Sequence, residues 1–204
     1  MSVWSDNLNP ENLDKAIATG NLHEALKIIR RFKTSAESSH IVTLLNKEVT
    51  LLHELGLTRA CYELSKKLIK NLNDNIELCS QYDPLIFYYH IHSLIYVANL
   101  QESLHTLKEW QQSSLFQSLI KRSLVFEAVL TLCDATVNNY IDLDHAEKAI
   151  QKTLEVAKSF DDQMIYTLAL YRAGRIAAHK GEINDALEKL TQSLHYGELL
   201  GNRY

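Results

Sequence analysis

The chain of 204 residues carries a formal net charge of −4, with 46% hydrophobic and 23% charged residues. These shares are typical of globular proteins, so they argue against intrinsically disordered and membrane-embedded classes. Only six glycines and two prolines occur. So few helix-breaking residues leave little material for β-turns and predict long helices joined by short connections.

The distribution of charge and apolar residues argues against nucleic acid and membrane partners. The densest basic cluster, residues 27–33, is short and lies on a single predicted helix. Nucleic-acid binding requires a broader basic footprint that neutralises phosphates. The most apolar stretch, residues 85–100, is interrupted by histidines and Asn99 and is too short to span a bilayer.

The cysteines and the N-terminus indicate the cytoplasm. Cys61, Cys79 and Cys133 are odd in number, widely separated and without a CxxC pair, so we expect reduced thiols. The first residues contain three acidic side chains and no apolar core, which does not fit a secretory signal.

One pattern recurs along the chain: a branched apolar residue, a small residue three positions later, and Leu or Ile four positions after that. Successive instances are 35, 43, 43 and 40 residues apart. Such spacing places the three residues on one face of a helix, with a small side chain that lets a second helix approach closely. The instances are Leu22, Ala25 and Ile29; Leu57, Ala60 and Leu64; Leu100, Ser103 and Leu107; Leu143, Ala146 and Ile150; Ile183, Ala186 and Leu190.

A turn signal and another apolar-rich stretch precede each instance, so the repeating unit is a helix, a turn and a second helix. The first helices are predicted near residues 11–19, 39–55, 84–98, 115–138 and 162–180. The second helices are predicted near residues 22–33, 57–72, 100–112, 142–160 and 182–200. The pattern therefore predicts an all-α chain, with about five units in a single array over residues 1–204.

The last unit resembles the tetratricopeptide repeat. Leu170 and Gly174 lie in its first helix, Gly181 at the turn, and Ala186 and Leu190 in its second helix. This resemblance implies antiparallel helix pairs stacked in a right-handed superhelix, with Gly174 and Ala186 at the close contact between paired helices. The other units depart further from the family, because their intervals exceed the usual length of about 34 residues and the closing proline is missing.

No sequence motif predicts a nucleotide-binding, metal-binding or catalytic site. The glycines form neither a P-loop nor a GxGxxG turn, and the two His-Glu pairs lack the second histidine of a HExxH zinc site. Asp142, Asp144 and His145 could bind a cation, yet acidic residues at a helix start also complement the helix dipole. We therefore expect no metal, no cofactor and no enzymatic activity.

Polar and aromatic residues recur one turn apart on the predicted first helices, which line the concave surface in the resembling family. Tyrosines there would supply contact area and an arginine would contact acidic groups, although ordinary semi-exposed positions give the same pattern. The residues that we expect to form a ligand- or peptide-binding face are Tyr88, His92, Tyr96, Asn138, Asn139, Tyr171, Arg175 and His179.

The predicted last helix carries Leu187, Leu190, Leu194 and Leu199, and no capping helix with a polar outer face follows it. We therefore expect that the chain is the N-terminal part of a longer protein, or that this end is buried in a homodimer.

Two functional hypotheses follow. The first is a non-enzymatic scaffold or regulatory module that binds a peptide, a protein or an adjoining domain of the same protein. The alternative is a sensory input domain, for a small molecule or signalling peptide, in a larger bacterial transcription regulator or signalling protein. Because the predicted face has one fixed cation, Arg175, it does not resemble the tetratricopeptide clamps for acidic chaperone tails.

Overall fold

A computed structural model describes residues 10–35, 38–74 and 76–200 of the chain. Over these residues it contains eleven α-helices, one 3₁₀ helix at Ile76–Gln81 and no strand. The α-helices are α1 (Pro10–Ala18), α2 (Leu22–Ser35), α3 (Ser38–Glu54), α4 (Thr58–Asp74), α5 (Leu85–Val97), α6 (Leu100–Gln112), α7 (Ser114–Arg122), α8 (Leu124–Asn138), α9 (Leu143–Ser159), α10 (Gln163–Lys180) and α11 (Ile183–Leu199). The all-α class predicted from the sequence is confirmed.

The described residues divide into two compact units, one up to residue 89 and one from residue 90 onward, and the boundary falls inside α5. In the first unit α1, α2, α3 and α4 pack as consecutive neighbours. In the second unit α6 to α11 also pack on the next helix in sequence, and α8 additionally contacts α6 and α10. The helices thus pack in neighbouring pairs, while a single continuous array over residues 1–204 stays a prediction.

Local sequence signals explain where the helices of the second unit begin and end. The side chains of Asn99, Asp142 and Asp162 each accept a backbone hydrogen bond from the first turn of the helix that follows. Such caps satisfy N–H groups that have no partner within the helix. Gly181 ends α10 at a φ of 81°, a left-handed conformation that glycine adopts without steric penalty.

The repeat pattern is displaced by one residue in its second instance. In α2, α6, α9 and α11 the first helical residue is the predicted apolar residue, and the small residue three positions later is buried. In α4, however, Leu57 precedes the helix and Ala60 is exposed. The equivalent position is Cys61, which is fully buried and whose Sγ donates to the carbonyl of Val49 over 3.7 Å.

The helix predicted over residues 115–138 is wrong, because α7 and α8 replace it. Ser123 lies between them in an extended conformation (φ −156°, ψ 125°). Its N–H donates to the carbonyl of Leu119, and its side chain accepts from the N–H of Val125. One serine therefore closes α7 and caps α8, so the break needs neither Gly nor Pro.

Candidate interaction surface

Three of the predicted residues on α10 lie on one face of the helix. Tyr171, Arg175 and His179 are one turn apart, with Tyr171 and His179 exposed and Arg175 half-buried. An Arg175 Nη1–H group donates to the hydroxyl of Tyr171 over 3.4 Å. The following residues on the buried side, Ala173, Ile176 and Ala177, pack into the core and fix the orientation of this row.

The C-terminal half of α5 contributes a second row. The rings of His92 and Tyr96 meet edge to face with centroids 5.2 Å apart. Tyr96 is 58% exposed, whereas Ile91 and Leu94 of the same helix are buried. This part of α5 is amphipathic, as the one-turn spacing predicts.

Tyr140 joins the two rows. It follows α8 and is 41% exposed. Its ring lies 6.2 Å from that of His179 in an edge-on arrangement. Burial raises the pKa of Tyr140, and a hydrogen bond with the Tyr96 side chain raises this pKa further. Sequence reasoning did not select Tyr140, because it lies in a turn outside any helical spacing.

We call Tyr96, Tyr140, Tyr171, Arg175 and His179 the aromatic–arginine cluster. All five belong to the second unit. The cluster has one half-buried cation among side chains that are neutral or weakly basic. The hydrogen bond with Tyr171 raises the pKa of Arg175, so its guanidinium remains charged.

A second arginine lies next to the cluster. Arg172 is 1% exposed, and its Cζ lies 5.4 Å from the centre of the Tyr171 ring. Both Arg172 and Arg175 lower the pKa of Tyr140, against the larger effect of burial. Arg175 itself forms no ion pair with any residue in the described ranges. The cluster therefore holds one half-buried cation, Arg175, on a chain whose net charge is −4.

The two asparagines of the predicted face have other roles. Asn138 Nδ2 donates to Asp134 Oδ1 over 2.8 Å, and Asp134 also contacts His145 Nε2 at 2.8 Å. Asn139 is 2% exposed, and its amide finds no hydrogen-bond partner among the described residues. Its main-chain oxygen lies 3.4 Å from His179 Nδ1. Asn139 thus positions His179 through the backbone and presents no accessible amide.

Tyr88 is not part of an accessible face. It is 1% exposed, and its ring packs 5.9 Å from His53 and 5.6 Å from Tyr89 in the first unit. Residues 85–91 are all buried, so the start of α5 has no solvent-facing side. The one-turn spacing from His92 was misleading here, because it assumes a helix with one exposed face.

A groove that the sequence did not reveal lies across α9, α10 and α11. It begins as a cavity of about 200 Å³ lined by residues that include Leu154, Lys158, Tyr166 and Leu170. Lys158 Nζ lies 5.3 Å from the centre of the Tyr166 ring, which meets Tyr196 edge to face at 5.4 Å. Helix geometry places Tyr166 and Leu170 on the side of α10 opposite to Arg175.

The acidic residues at the start of α9 have separate partners. Asp142 accepts from the N–H of His145, Asp144 pairs with Lys180 at 3.4 Å, and His145 pairs with Asp134. Within residues 10–35, 38–74 and 76–200 no group of three or more His, Cys, Asp or Glu side chains is placed to hold a metal ion. No helix in these ranges has both the length and the apolarity that a bilayer crossing requires.

Comparisons with known proteins yield structural neighbours only. No family model and no curated protein matches the chain. The crystal structure of the MamA protein is similar at 17% identity, covering 91% of this chain and 88% of that chain, with a TM-score of 0.48. The crystal structure of BtubC (BKLC) from P. vanneervenii is similar at 12% identity, covering 94% of this chain and 79% of that chain, with a TM-score of 0.57. The likeness to BtubC extends over nearly the whole chain and supports a helical-repeat fold.

Proposed function

We propose that the chain is a non-enzymatic, tetratricopeptide-like interaction module of the cytoplasm, which binds a peptide or protein partner through the aromatic–arginine cluster. The observation that carries the proposal is Arg175, a half-buried cation surrounded by three partly exposed tyrosines and without an ion-pair partner among the described residues. Tyrosine and arginine, with tryptophan, are enriched among the few interface residues that contribute most of the binding energy.

The geometry of the cluster favours binding over catalysis. Tyrosine rings have few rotatable bonds, so they provide contact area at a small entropic cost. The cluster contains no nucleophile paired with a base: His179 contacts a main-chain oxygen and the ring of Tyr140. The cysteines support a reducing compartment, since none of the three, all within the described ranges, forms a disulfide.

A capture experiment with two matched variants tests this function. The intact chain, a Tyr96→Ala, Tyr171→Ala, Arg175→Ala variant and a Tyr166→Ala, Tyr196→Ala control would be incubated with lysate of the source cells. Bound proteins would be identified by mass spectrometry. We expect a partner that the control retains and the cluster variant loses, with helicity unchanged in both. Partners retained by the cluster variant, or the absence of any specific partner, would contradict the proposal.

A further inference from the structure

We propose that the aromatic–arginine cluster recognises an acidic side chain, Asp or Glu, at an internal position of a partner peptide, with aromatic or aliphatic residues on either side of it. This inference rests on the proposed function and adds the chemistry of the ligand.

The first argument is charge complementarity. Arg175 uses one of its N–H groups for the hydroxyl of Tyr171 and has no carboxylate partner within the described ranges. Its other N–H groups remain available for a planar oxyanion, which a guanidinium can bind through two parallel hydrogen bonds. Buried Arg172 lies against the ring of Tyr171 and is not needed for this contact. A half-buried cation is less screened by salt than a fully exposed one. Its electrostatic attraction to a bound anion is therefore stronger.

The second argument is preorganisation. The hydroxyl of Tyr171 accepts a hydrogen bond from the guanidinium of Arg175, and the ring of Tyr140 lies edge-on to that of His179. His179 is in turn placed by the main-chain oxygen of Asn139. Side chains that are already ordered lose little freedom on binding, which leaves more of the interaction energy as affinity.

The third argument concerns the position of the acid. Arg175 lies in the middle of its row, with Tyr171 one turn before it and His179 one turn after it. The row from residue 171 to residue 179 spans roughly 12 Å, the length of about four extended residues. A chain that ended at Arg175 would leave half of the aromatic surface uncovered. A chain that continues past Arg175 covers both halves with neighbouring side chains.

The number of accessible charges distinguishes a carboxylate from a phosphate. Arg172 is buried, so the cluster offers one accessible guanidinium. A carboxylate carries the single negative charge that this cation can neutralise. A phosphate monoester carries nearly two at neutral pH and would keep one uncompensated in a half-buried position.

Selection from random peptide libraries tests the inference on the intact chain. One library displays dodecapeptides whose C-termini are fused to the carrier, so that every selected acid is internal, and a second library has free C-termini. We expect the first library to yield peptides with Asp or Glu at a fixed position, next to aromatic or aliphatic residues.

Labelled synthetic versions of the selected peptides then measure the pairing with Arg175. Arg175→Gln should weaken binding roughly tenfold, and replacing the peptide acid by its amide should do the same. The two changes together should lower the affinity little more than either change alone, because both remove the same contact. Arg31→Gln, at an exposed arginine of α2, serves as the control and should leave affinity unchanged.

The other outcomes separate this inference from the proposed function. Selected peptides that lack an acid, or that bind the Arg175→Gln variant equally well, would overturn the acidic-ligand inference and leave peptide binding intact. Selection from the free C-terminal library alone, with loss on amidation, would show that the carboxylate is terminal and would overturn the internal placement. Failure of both libraries to yield any binder would count against peptide binding altogether.

Discussion

Leu190 of α11 lies against Gly174 of α10 so closely that a Cβ atom at position 174 would be 2.7 Å from Leu190 Cγ. The same atom would be 3.2 Å from the carbonyl oxygen of Ala186. The tetratricopeptide resemblance of the last unit implied a close contact between these helices at Gly174 and Ala186. The packing of α10 on α11 is therefore one feature that the sequence predicted residue by residue.

Replacing Gly174 by Ala should destabilise the second unit. An added methyl group within a packed helix interface forces neighbouring atoms to move, at a cost of about 1–3 kcal/mol. The higher helix propensity of alanine offsets about 1 kcal/mol of this loss. Urea unfolding followed by circular dichroism would measure the difference. A Leu190→Ala background supplies the control, since the smaller side chain should reduce or reverse the effect of the added methyl. An equal loss of unfolding free energy on Gly174→Ala in the wild-type chain and in the Leu190→Ala chain would contradict the steric explanation.

The sequence predicted where a helix starts when the small residue of the repeat pattern is a buried alanine or serine, as in α2, α6, α9 and α11. The buried first turn of these helices is marked by a small residue with an apolar residue three positions before it and Leu or Ile four positions after it. These small residues are Ala25, Ser103, Ala146 and Ala186. In α4 that position is Cys61, and the adjacent Ala60 suggested the wrong register. The break at Ser123 was missed because its extended conformation is accompanied by two hydrogen bonds that composition does not reveal: its N–H donates to Leu119, and its side chain accepts from the N–H of Val125.

A buried carboxylate of the first unit pairs with two basic side chains. Glu48 is 4% exposed and accepts from Arg30 Nε over 3.1 Å and from Lys33 Nζ. We expect Glu48→Gln to lower the free energy of unfolding by about 1–2 kcal/mol, because the amide keeps the shape and loses the charge-assisted hydrogen bonds. Glu24 forms an exposed pair with Lys27 at 3.5 Å, and Glu24→Gln should change stability by less than about 0.5 kcal/mol. Equal changes in the free energy of unfolding for the two substitutions would show that burial of the Glu48 ion pairs does not increase their contribution to stability.

The three cysteines should differ in reactivity. Cys61 and Cys133 are fully buried, whereas Cys79 is partly exposed. Brief treatment of the native chain with iodoacetamide should therefore give one adduct, at Cys79, and treatment in urea should give three. Peptide mass spectrometry locates the adducts. Modification of Cys133 as rapid as that of Cys79 in the native chain would show that the core around α8 opens readily.

Burial of Cys133 should also limit stability at alkaline pH. Desolvation raises the pKa of this thiol well above its ordinary value, and Asp134 raises it further. The thiol therefore stays protonated in the folded chain, while in the unfolded chain it ionises above about pH 8.5. Since the unfolded state then binds fewer protons, stability is fully present below that pH and falls as pH rises, by up to about 1.4 kcal/mol per pH unit. Cys133→Ala should make the free energy of unfolding fall less steeply with pH in urea unfolding at pH 7 to 10, and an unchanged pH dependence in this variant would contradict the explanation.

The candidate site was predictable only where a helix is amphipathic. Tyr171, Arg175 and His179 were found because one face of α10 is exposed and the other is packed. Tyr88 shares the same spacing with His92, yet the start of α5 is buried on every side. Tyr140 lies in a turn, where no periodicity applies, and only tertiary structure brings it to Tyr96 and His179.

An apolar row lies on the outer side of α11, as the sequence suggested for the last helix. Ile183, Leu187 and Leu194 are 59%, 60% and 51% exposed, and their spacing places them on one face. The neighbouring face, with Ala186, Ser193 and Gly197, is buried. One of the two alternatives predicted from the sequence is a homodimer, which would place this row in contact with a second copy. Burying adjacent leucines stabilises association by roughly 25 cal/mol for each Å² removed from water.

Light scattering coupled to size exclusion tests that prediction. If the homodimer alternative is correct, the wild-type chain has twice its monomer mass of 23.4 kDa at high concentration. Leu187→Lys combined with Leu194→Lys should yield the monomer with unchanged helicity, because two charges cannot be buried in a self-complementary apolar contact without partners. Leu199 is 67% exposed and lies on a different side of α11, so Leu199→Lys should leave the dimer intact. A wild-type chain that stays monomeric at all concentrations would rule out the homodimer, because the exposed apolar side chains of α11 would then not mediate contact between two copies.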